Sequence, residues 1–204
     1  MFEVNQLKVG GFDDNFSYVV YETAGGETAV VDPCGNTGMI RAALEKYPAR
    51  IPKYILLTHG HADHTSGLQE VRKFFPAPTA AHPACKTASD IVLTDGMKLP
   101  FGNSFIQALF SPGHADSSVC WLLGDNSAIF TGDTLFIGCC GFCRPETMFR
   151  TMRNVLYPLP DEAVVYSGHD YGEVPFDTLG HQKQVNPFLS IRDLPSFKEA
   201  VKAL

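Results

Sequence analysis

The chain has 204 residues, of which 45% are hydrophobic and 19% are charged, and its formal net charge is −6. These values are typical of a globular protein with a sizeable core, and the dispersed Lys and Arg residues argue against nucleic acid or an anionic membrane as the main partner. No apolar run approaches the roughly 18 to 20 residues that span a bilayer, and the first residues lack the pattern of a signal peptide. We therefore expect a cytoplasmic protein whose six cysteines are reduced.

Apolar runs and turn residues predict an alternating first half. Gly25 and Gly26 separate two short strands that form a hairpin, and proline residues end each predicted helix. The predicted elements are strands over 16–21 and 28–31, a helix over 37–47, a strand over 53–57 and a helix over 67–75.

The second half begins with closely spaced strands and ends with helices. The predicted elements are strands over 97–101, 104–110, 118–123 and 127–130, a helix over 146–156, a strand over 162–166, and helices over 178–185 and 196–204. This order suggests two mixed sheets covered by helices, a four-layer α/β arrangement. Because no linker or tandem repeat interrupts the chain, we expect one domain over residues 1–204.

Four polar segments each follow a predicted strand. They span residues 58–64, 112–114, 131–134 and 167–170, and they contain five of the seven histidines. Loops at strand ends are where α/β proteins place reactive groups on a rigid scaffold. These segments are therefore the candidate functional site.

The first of these segments has the pattern of a metal site. His59 and His61 are two residues apart, so in extended backbone their side chains point the same way and can hold one ion. Asp63 and His64 are offset from that pair and can hold a second ion. A single loop histidine is usually only solvated or hydrogen-bonded, but three histidines and one aspartate so close together favour metal binding.

The later segments supply the remaining ligands. His114 would complete the first site and His169 the second, and the two carboxylate oxygens of Asp133 could bridge them. Each of these residues taken singly would be read as a structural residue. Their order after strand ends makes the three together candidate metal ligands.

These motifs carry a family resemblance over nearly the whole chain. The run His59-Gly60-His61-Ala62-Asp63-His64 resembles the signature of the metallo-β-lactamase superfamily. His114, Asp133 and His169 match the later metal-binding segments of that superfamily in order and approximate spacing. The resemblance implies an αββα sandwich with a metal site at the edges of the sheets.

Other segments are similar to the glyoxalase II branch of the superfamily. Asp14-Asn15-Phe16-Ser17-Tyr18 and Val31-Asp32-Pro33 resemble its opening, and Gly132-Asp133-Thr134-Leu135-Phe136 and His169-Asp170-Tyr171 resemble its later motifs. The tail over 178–188 is similar to the short form, which lacks a long helical extension.

This resemblance implies a thioester hydrolase with a small-molecule substrate. Two divalent ions would hold a hydroxide between them, with zinc as the first candidate and iron or manganese also admitted by the ligands. Asp63 would bind metal and orient this nucleophile, which makes it the catalytic residue. Tyr171 matches a position that contacts the thiol carrier, although a packed aromatic residue at the rim is an equal alternative.

Persulfide dioxygenases share this fold and give the main alternative, a single iron held by two histidines and one carboxylate. The segment Cys139-Cys140-Gly141-Phe142-Cys143-Arg144-Pro145 lacks the Arg-containing run of those enzymes and also the glutathione-binding residues of glyoxalase II. We expect it to form one wall of the pocket, with Cys143 and Arg144 as candidate substrate-binding residues. A buried thiol and a solvated arginine are the alternatives, and weak activity on glutathione thioesters is expected.

A non-catalytic protein on the same fold is a third possibility, and the sequence argues against it. A protein that had lost its catalytic activity should also have lost some of the metal-binding residues, but all seven expected ligands are present in the sequence. The thiol carrier and the oligomeric state stay open at this stage.

Overall fold

The computed structural model describes residues 1–87 and 89–204, and these contain two six-stranded sheets. The first sheet comprises β1 (Phe2–Gly10), β2 (Asn15–Glu22), β3 (Glu27–Val31), β4 (Ile51–Leu56), β5 (Thr79–Ala81) and β6 (Ile91–Val92). The second comprises β7 (Lys98–Phe101), β8 (Ser104–Phe110), β9 (Val119–Leu123), β10 (Ala128–Gly132), β11 (Val164–Ser167) and β12 (Asp177–Thr178).

Helices cover the outer faces of both sheets. They are α1 (Thr37–Glu45), α2 (Ala62–Thr65), α3 (Leu68–Phe74), α4 (Pro145–Thr151), α5 (Leu179–Val185), α6 (Pro187–Ser190) and α7 (Leu194–Val201), and a π-helical segment (Met152–Leu156) continues α4. Among the described residues, no helix has both the length and the apolar character needed to cross a membrane.

Both sheets are mixed. In the first sheet β1, β2 and β3 pair antiparallel, and β3 to β6 pair parallel. In the second sheet β7 to β10 form an antiparallel meander, β11 pairs parallel to β10, and β12 pairs antiparallel to β11. Consequently β8, β10 and β11 end at one edge of the second sheet, and a hydrogen bond from the Val119 backbone N–H to the Thr58 carbonyl brings the end of β4 to the same edge.

Apolar side chains form three layers of core. Phe16, Tyr18, Trp121 and Phe130 belong to the cluster that lies between the two sheets. Val19, on the opposite face of β2, belongs to a separate cluster that includes residues of α1 and α3. A third cluster packs the second sheet against the C-terminal helices. The predicted four-layer αββα sandwich is therefore confirmed.

The predicted elements are present with different ends, and four strands, β1, β5, β6 and β12, were not predicted. β12 (Asp177–Thr178) lies at the start of the helix predicted over 178–185, and that helix begins at Leu179. β1 carries polar residues at Asn5, Gln6 and Lys8 because it lies at a sheet edge, and β5 and β6 are only three and two residues long. The predicted helix over 146–156 instead begins at Pro145 and becomes a π-helix after Thr151.

The last helix also begins earlier than predicted. It begins at Leu194 rather than at residue 196, because the Asp193 side chain accepts a hydrogen bond from the backbone N–H of Ser196 and caps the helix.

Candidate metal centre

The first group of candidate ligands consists of three histidines at the mouth of the sandwich. His61 Nδ1 lies 3.0 Å from His59 Nε2 and 3.0 Å from His114 Nε2. His59 and His61 come from the loop after β4, and His114 comes from the loop after β8. The structure therefore brings together the three residues that the sequence assigned to one ion.

The second group contains two carboxylates and two imidazoles. His64 Nε2 lies 3.2 Å from Asp63 Oδ2 and 3.1 Å from Asp133 Oδ1. His169 Nε2 lies 3.4 Å and 3.3 Å from the same two oxygens. The four candidate ligand atoms lie within 4.8 Å of one another, which is close enough to surround one ion.

Asp133 lies between the two groups. Its Oδ1 faces the second group, and its Oδ2 is 3.4 Å from His114 Nε2 and 4.0 Å from His59 Nε2 in the first group. This is the placement that a bridging carboxylate requires. The assignment of all seven residues as ligands stays a prediction that this geometry supports.

Local backbone geometry explains how adjacent residues of one segment serve two groups. His61 is extended, with φ −68° and ψ 148°, and it caps the short helix α2, on whose first turn Asp63 and His64 lie. The change from extended backbone to helix after His61 turns Asp63 and His64 away from the preceding pair. Gly168 lies so close to this centre that a Cβ atom there would overlap Asp133 Oδ1.

Each of four imidazoles is oriented by a contact on the nitrogen that faces away from the centre. Asp32 Oδ2 lies 2.9 Å from His64 Nδ1, and Thr58 Oγ1 lies 3.1 Å from His59 Nδ1. Backbone carbonyls serve the other two: that of Phe142 lies 2.9 Å from His114 Nδ1, and that of Asp13 lies 2.5 Å from His169 Nδ1. Such contacts fix the tautomer and direction of a metal-binding histidine.

Two supporting residues, Asn15 and Asp32, lie in motifs that resemble the family but were assigned no role from the sequence. Asp32 also accepts hydrogen bonds from the backbone and hydroxyl of Thr58, at 2.7 and 2.5 Å. Asn15 donates to Asp63 Oδ2 at 3.1 Å. The available sequence signal was their place in the motifs Asp14-Asn15-Phe16-Ser17-Tyr18 and Val31-Asp32-Pro33. In the structure Asn15 begins β2, and Asp32 directly follows β3 with a φ of +45°.

The residues present fit divalent cations. Asp133 Oδ1 is buried and accepts no well-aligned hydrogen bond from the described residues, although two imidazole nitrogens lie close to it. Several ring nitrogens also face one another, as His64 Nε2 and His169 Nε2 do at 3.2 Å. Imidazole nitrogens and carboxylate oxygens converging on one point are the ligand set of zinc, iron or manganese.

The electrostatics of the cluster agree with this reading. Burial lowers the pKa of His59, and the neighbouring His64 lowers it further, so His59 favours the neutral form that binds metal. Burial acts to raise the pKa of Asp133, but the imidazoles of His169 and His64 bring it well below its usual range. Burial also disfavours charge on His169, yet the carboxylates of Asp133 and Asp63 raise its pKa to about 10. The two carboxylates of the second group therefore favour a positive charge close to them.

Tyr171, one of the predicted substrate-binding residues, lies beside the second group. Its ring stacks on that of His169, with the ring centroids 4.8 Å apart and the planes at 10°. Its hydroxyl donates a hydrogen bond to the Asp13 carboxylate, and 45% of its surface is exposed. Tyr171 also lines a cavity of about 680 Å³ together with Cys139.

The other two predicted substrate-binding residues do not line this cavity. Cys143 is buried with Cys140 and Met148 in the core under the second sheet, and its position gives no support to a substrate contact. The hydrogen bond with Cys143, together with burial, raises the pKa of the Cys140 thiol, which keeps that thiol protonated and unreactive. Arg144 is at the surface, paired with Asp116. Of the predicted wall, Cys139 does line the cavity.

Comparison with known proteins places the chain in a family. A family model for the metallo-beta-lactamase superfamily matches residues 10–85 and 86–169. Cytoplasmic hydroxyacylglutathione hydrolase of Arabidopsis thaliana is 35% identical over 169 residues, which are 78% of this chain and 64% of that protein. Mitochondrial persulfide dioxygenase ETHE1 of Homo sapiens is 29% identical over 195 residues, which are 93% of this chain and 75% of that protein.

A solved structure agrees in fold. ETHE1 from Myxococcus xanthus superposes with a TM-score of 0.85 at 24% sequence identity, covering 98% of this chain and 90% of that one. Together with the family model, which covers most of the chain, this confirms the resemblance drawn from the histidine motif. The chain belongs to the metallo-beta-lactamase superfamily of metal-dependent enzymes.

Proposed function

We propose that the protein is a thioester hydrolase of the glyoxalase II type that uses two metal ions. The observation that carries this proposal is the complete second group, Asp63, His64, Asp133 and His169, which lies next to the three histidines of the first group. A hydrolytic two-metal mechanism needs both groups, whereas a single-iron enzyme needs only two histidines and one carboxylate. The 35% identity with a hydroxyacylglutathione hydrolase supports the same choice.

Divalent ions held by these two groups, with zinc as the first candidate and iron or manganese as alternatives, would lower the pKa of a water molecule and polarise the thioester carbonyl. Asp133 would hold both ions in register, since its two oxygens face different groups. The side chain of Asp63 is 23% exposed, compared with 9% for Asp133 and 3% for His169. Asp63 is therefore the more accessible of the two carboxylate ligands and the better placed of the two to orient an incoming water.

A thiolate is a good leaving group, so the chain needs no strong general acid on the sulfur side. Water supplies the hydroxyl of the product acid, and the carbon–sulfur bond breaks to release the thiol. Tyr171 and Cys139 line the cavity beside the second group and would contact the departing thiol portion.

A single-iron persulfide dioxygenase is the second candidate. It is favoured by the 29% identity with human persulfide dioxygenase ETHE1, which extends over 93% of this chain. It is disfavoured by the segment 139–145, which keeps only half of the Gly-Cys-Gly run of such enzymes and lacks the Arg-containing run after it.

Metal analysis combined with two assays separates these candidates. The protein is purified without added metal, its bound metals are counted, and it is tested for thioester hydrolysis and for O₂ uptake with a persulfide. We expect two ions per chain and thioester hydrolysis. One iron per chain with persulfide-dependent O₂ uptake and no thioesterase activity would replace the hydrolase by the dioxygenase.

A further inference from the structure

The cavity of about 680 Å³ lies next to the second ligand group, and the ring of Tyr171 stands between them. Its lining comes from residues 137–139, residues 171–174 and the region of α5. Tyr171 contributes to this lining and stacks on His169 at a centroid distance of 4.8 Å. A molecule with its reacting carbon at the metal centre could therefore extend past Tyr171 into the cavity.

Hydrogen bonds and close packing join the three segments that form the cavity. Gln182 Oε1 accepts a hydrogen bond of 2.9 Å from the backbone N–H of Gly138, and Gln182 Nε2 donates one of 2.7 Å to Asp177 Oδ2. Asn186 Nδ2 donates to the Cys139 carbonyl at 3.0 Å. A Cβ atom on Gly172 would lie 2.6 Å from the side chain of Ile137, so these two segments are also in tight contact. The cavity is thus a preformed pocket.

The lining combines exposed apolar groups with negative charge. Tyr171, Val174 and Val185 are 45%, 47% and 52% exposed, which is high for large apolar side chains. Glu173 and Asp177 also line the cavity, and no Lys or Arg is found among its described lining residues. His181 is the one lining residue that can carry positive charge, and its Nδ1 is already bound to Asp177 at 2.5 Å.

We propose that this cavity binds the thiol portion of the substrate and that this portion carries a methylated ammonium group rather than a carboxylate or a phosphate. The inference rests on the proposed thioesterase function. Methylated ammonium groups bind to aromatic faces and apolar walls with carboxylates nearby, and this is the chemistry of Tyr171, Val174 and Glu173 here. Glutathione, with two carboxylates and one ammonium group, would bring a net negative charge toward Glu173 and Asp177, and the one lining residue able to compensate it, His181, is already paired with Asp177.

Binding of two matched probes tests the cavity independently of turnover. The metal-loaded protein is titrated at low salt with 2-(methylthio)ethyl-trimethylammonium and with 3-(methylthio)propionate, by calorimetry or NMR. We expect the cation to bind at least about tenfold more tightly, because two carboxylates attract it and repel the anion. Equal binding of the two probes, or tighter binding of the anion, would overturn the proposal.

Variants of Glu173 test whether the preference for the cationic probe arises in this cavity. Glu173→Gln should weaken cation binding by roughly three- to fivefold, and Glu173→Lys should remove the preference for the cation. Glu199→Gln is the control, since Glu199 lies on α7 and pairs with Lys202. An unchanged preference in Glu173→Lys would overturn the assignment to this cavity.

Measurements of thioester hydrolysis then distinguish a failure of the cavity proposal from a failure of the proposed thioesterase function. Propionyl thioesters of thiocholine and of 3-mercaptopropionate are compared, and hydrolysis yields propionate and the free thiol in both cases. We expect kcat/KM to favour the thiocholine ester by at least about tenfold. Hydrolysis without that preference would overturn the cavity proposal and leave the thioesterase standing. Cation-selective binding without hydrolysis of either ester would overturn the thioesterase and support the cavity as a binding site.

Discussion

Asp63 is linked to the remaining second-group residues and to the hydrogen-bond network around them. Its Oδ2 lies 3.2 Å from His64 Nε2 and 3.4 Å from His169 Nε2, and it accepts a hydrogen bond of 3.1 Å from Asn15. Tyr171, by contrast, touches the centre only through the face of the His169 ring, and its hydroxyl is bound to Asp13. The two residues should therefore differ sharply in their effect on turnover.

We expect Asp63→Ala to lower kcat by at least about a hundredfold, because it removes a metal ligand and the group that orients water. Tyr171→Phe should lower kcat by roughly tenfold at most, which corresponds to a rise of about 0.5 to 1.5 kcal/mol in the activation free energy, because it removes one hydrogen bond. Steady-state kinetics on one thioester, with the metal content of each variant measured alongside, checks both values. Similar losses in kcat would show that the reacting centre is misplaced.

Asp32 makes a second prediction at the residue scale. Its buried carboxylate accepts hydrogen bonds from the Thr58 backbone and hydroxyl and lies 2.9 Å from His64 Nδ1. Asp32→Asn keeps the shape but replaces one accepting oxygen by a donor, which leaves buried groups unpaired. We expect a loss of about 1 to 3 kcal/mol in the free energy of unfolding and about 10- to 100-fold weaker metal binding.

Urea unfolding and metal titration measure the two effects of Asp32→Asn. Ser66→Ala is a suitable control, because Ser66 directly follows the short helix α2 and is not among the residues that contact the candidate ligands above. An Asp32→Asn variant with unchanged metal affinity would show that His64 does not depend on this carboxylate.

At the scale of elements, the two ligand groups are supported by different parts of the chain. The turn between β1 and β2 supports the second group: the Asp13 carbonyl contacts His169, and Asn15 at the start of β2 contacts Asp63. The segment after β10 supports the first group through the Phe142 carbonyl, which contacts His114. Occupancy of the two sites should thus respond separately to changes in these elements.

Asn15→Ala should lower the occupancy of the second site and preserve the first. The substitution removes the donor to Asp63 Oδ2 and the acceptor for the Asp13 backbone N–H, so the turn and the ligand both lose support. We expect the metal content to fall from two ions toward one per chain, as measured by elemental analysis after dialysis. Phe142→Ala is the control, since the contact with His114 is made by the backbone and the Phe142 side chain is 79% exposed. Equal metal losses in both variants would contradict separate support.

At the scale of the whole molecule, the candidate metal centre lies where the two sheets meet. His59, His61 and His64 follow β4 of the first sheet, and His114 and His169 follow strands of the second. Direct hydrogen bonds also join the sheets here, from the Val119 backbone N–H to the Thr58 carbonyl at 2.7 Å and from Trp121 Nε1 to the Leu57 carbonyl at 3.2 Å. Bound metal would therefore cross-link the two halves of the sandwich.

Removal of metal should consequently lower the thermal stability of the whole molecule. A ligand at 100 times its Kd stabilises the folded state by about 2.7 kcal/mol, which corresponds to roughly 5 to 10 °C in Tm for a chain of this size. We expect dialysis against a chelator to lower Tm by at least this amount and zinc to restore it, as measured by calorimetry. An unchanged Tm after proven loss of metal would show that the ions do not link the sheets.

Some features of the site follow from the sequence alone, because they depend on short stretches of backbone. The positions of His59, His61, Asp63 and His64 within one segment determine how their side chains diverge, since strand and helix periodicities are local properties. Alternating apolar residues likewise determine the two buried faces of β2, with Tyr18 toward the other sheet and Val19 toward the helices. The layer order and the family could therefore be predicted.

Other features were decided only by tertiary packing. Asp32 supports His64, and Asn15 supports Asp63, because β2 and β3 pair beside β4. Cys143 is buried because the segment after Asp133 folds onto the C-terminal helices. The cavity forms because α5 lies against residues 137–139, which are distant in sequence, and its negative charge comes from Glu173 and Asp177. Such contacts depend on where separate elements meet in space, and the spacing of residues along the chain does not encode the distances between them. Residue type and local pattern therefore predicted the candidate ligands, and the three-dimensional arrangement determined their surroundings.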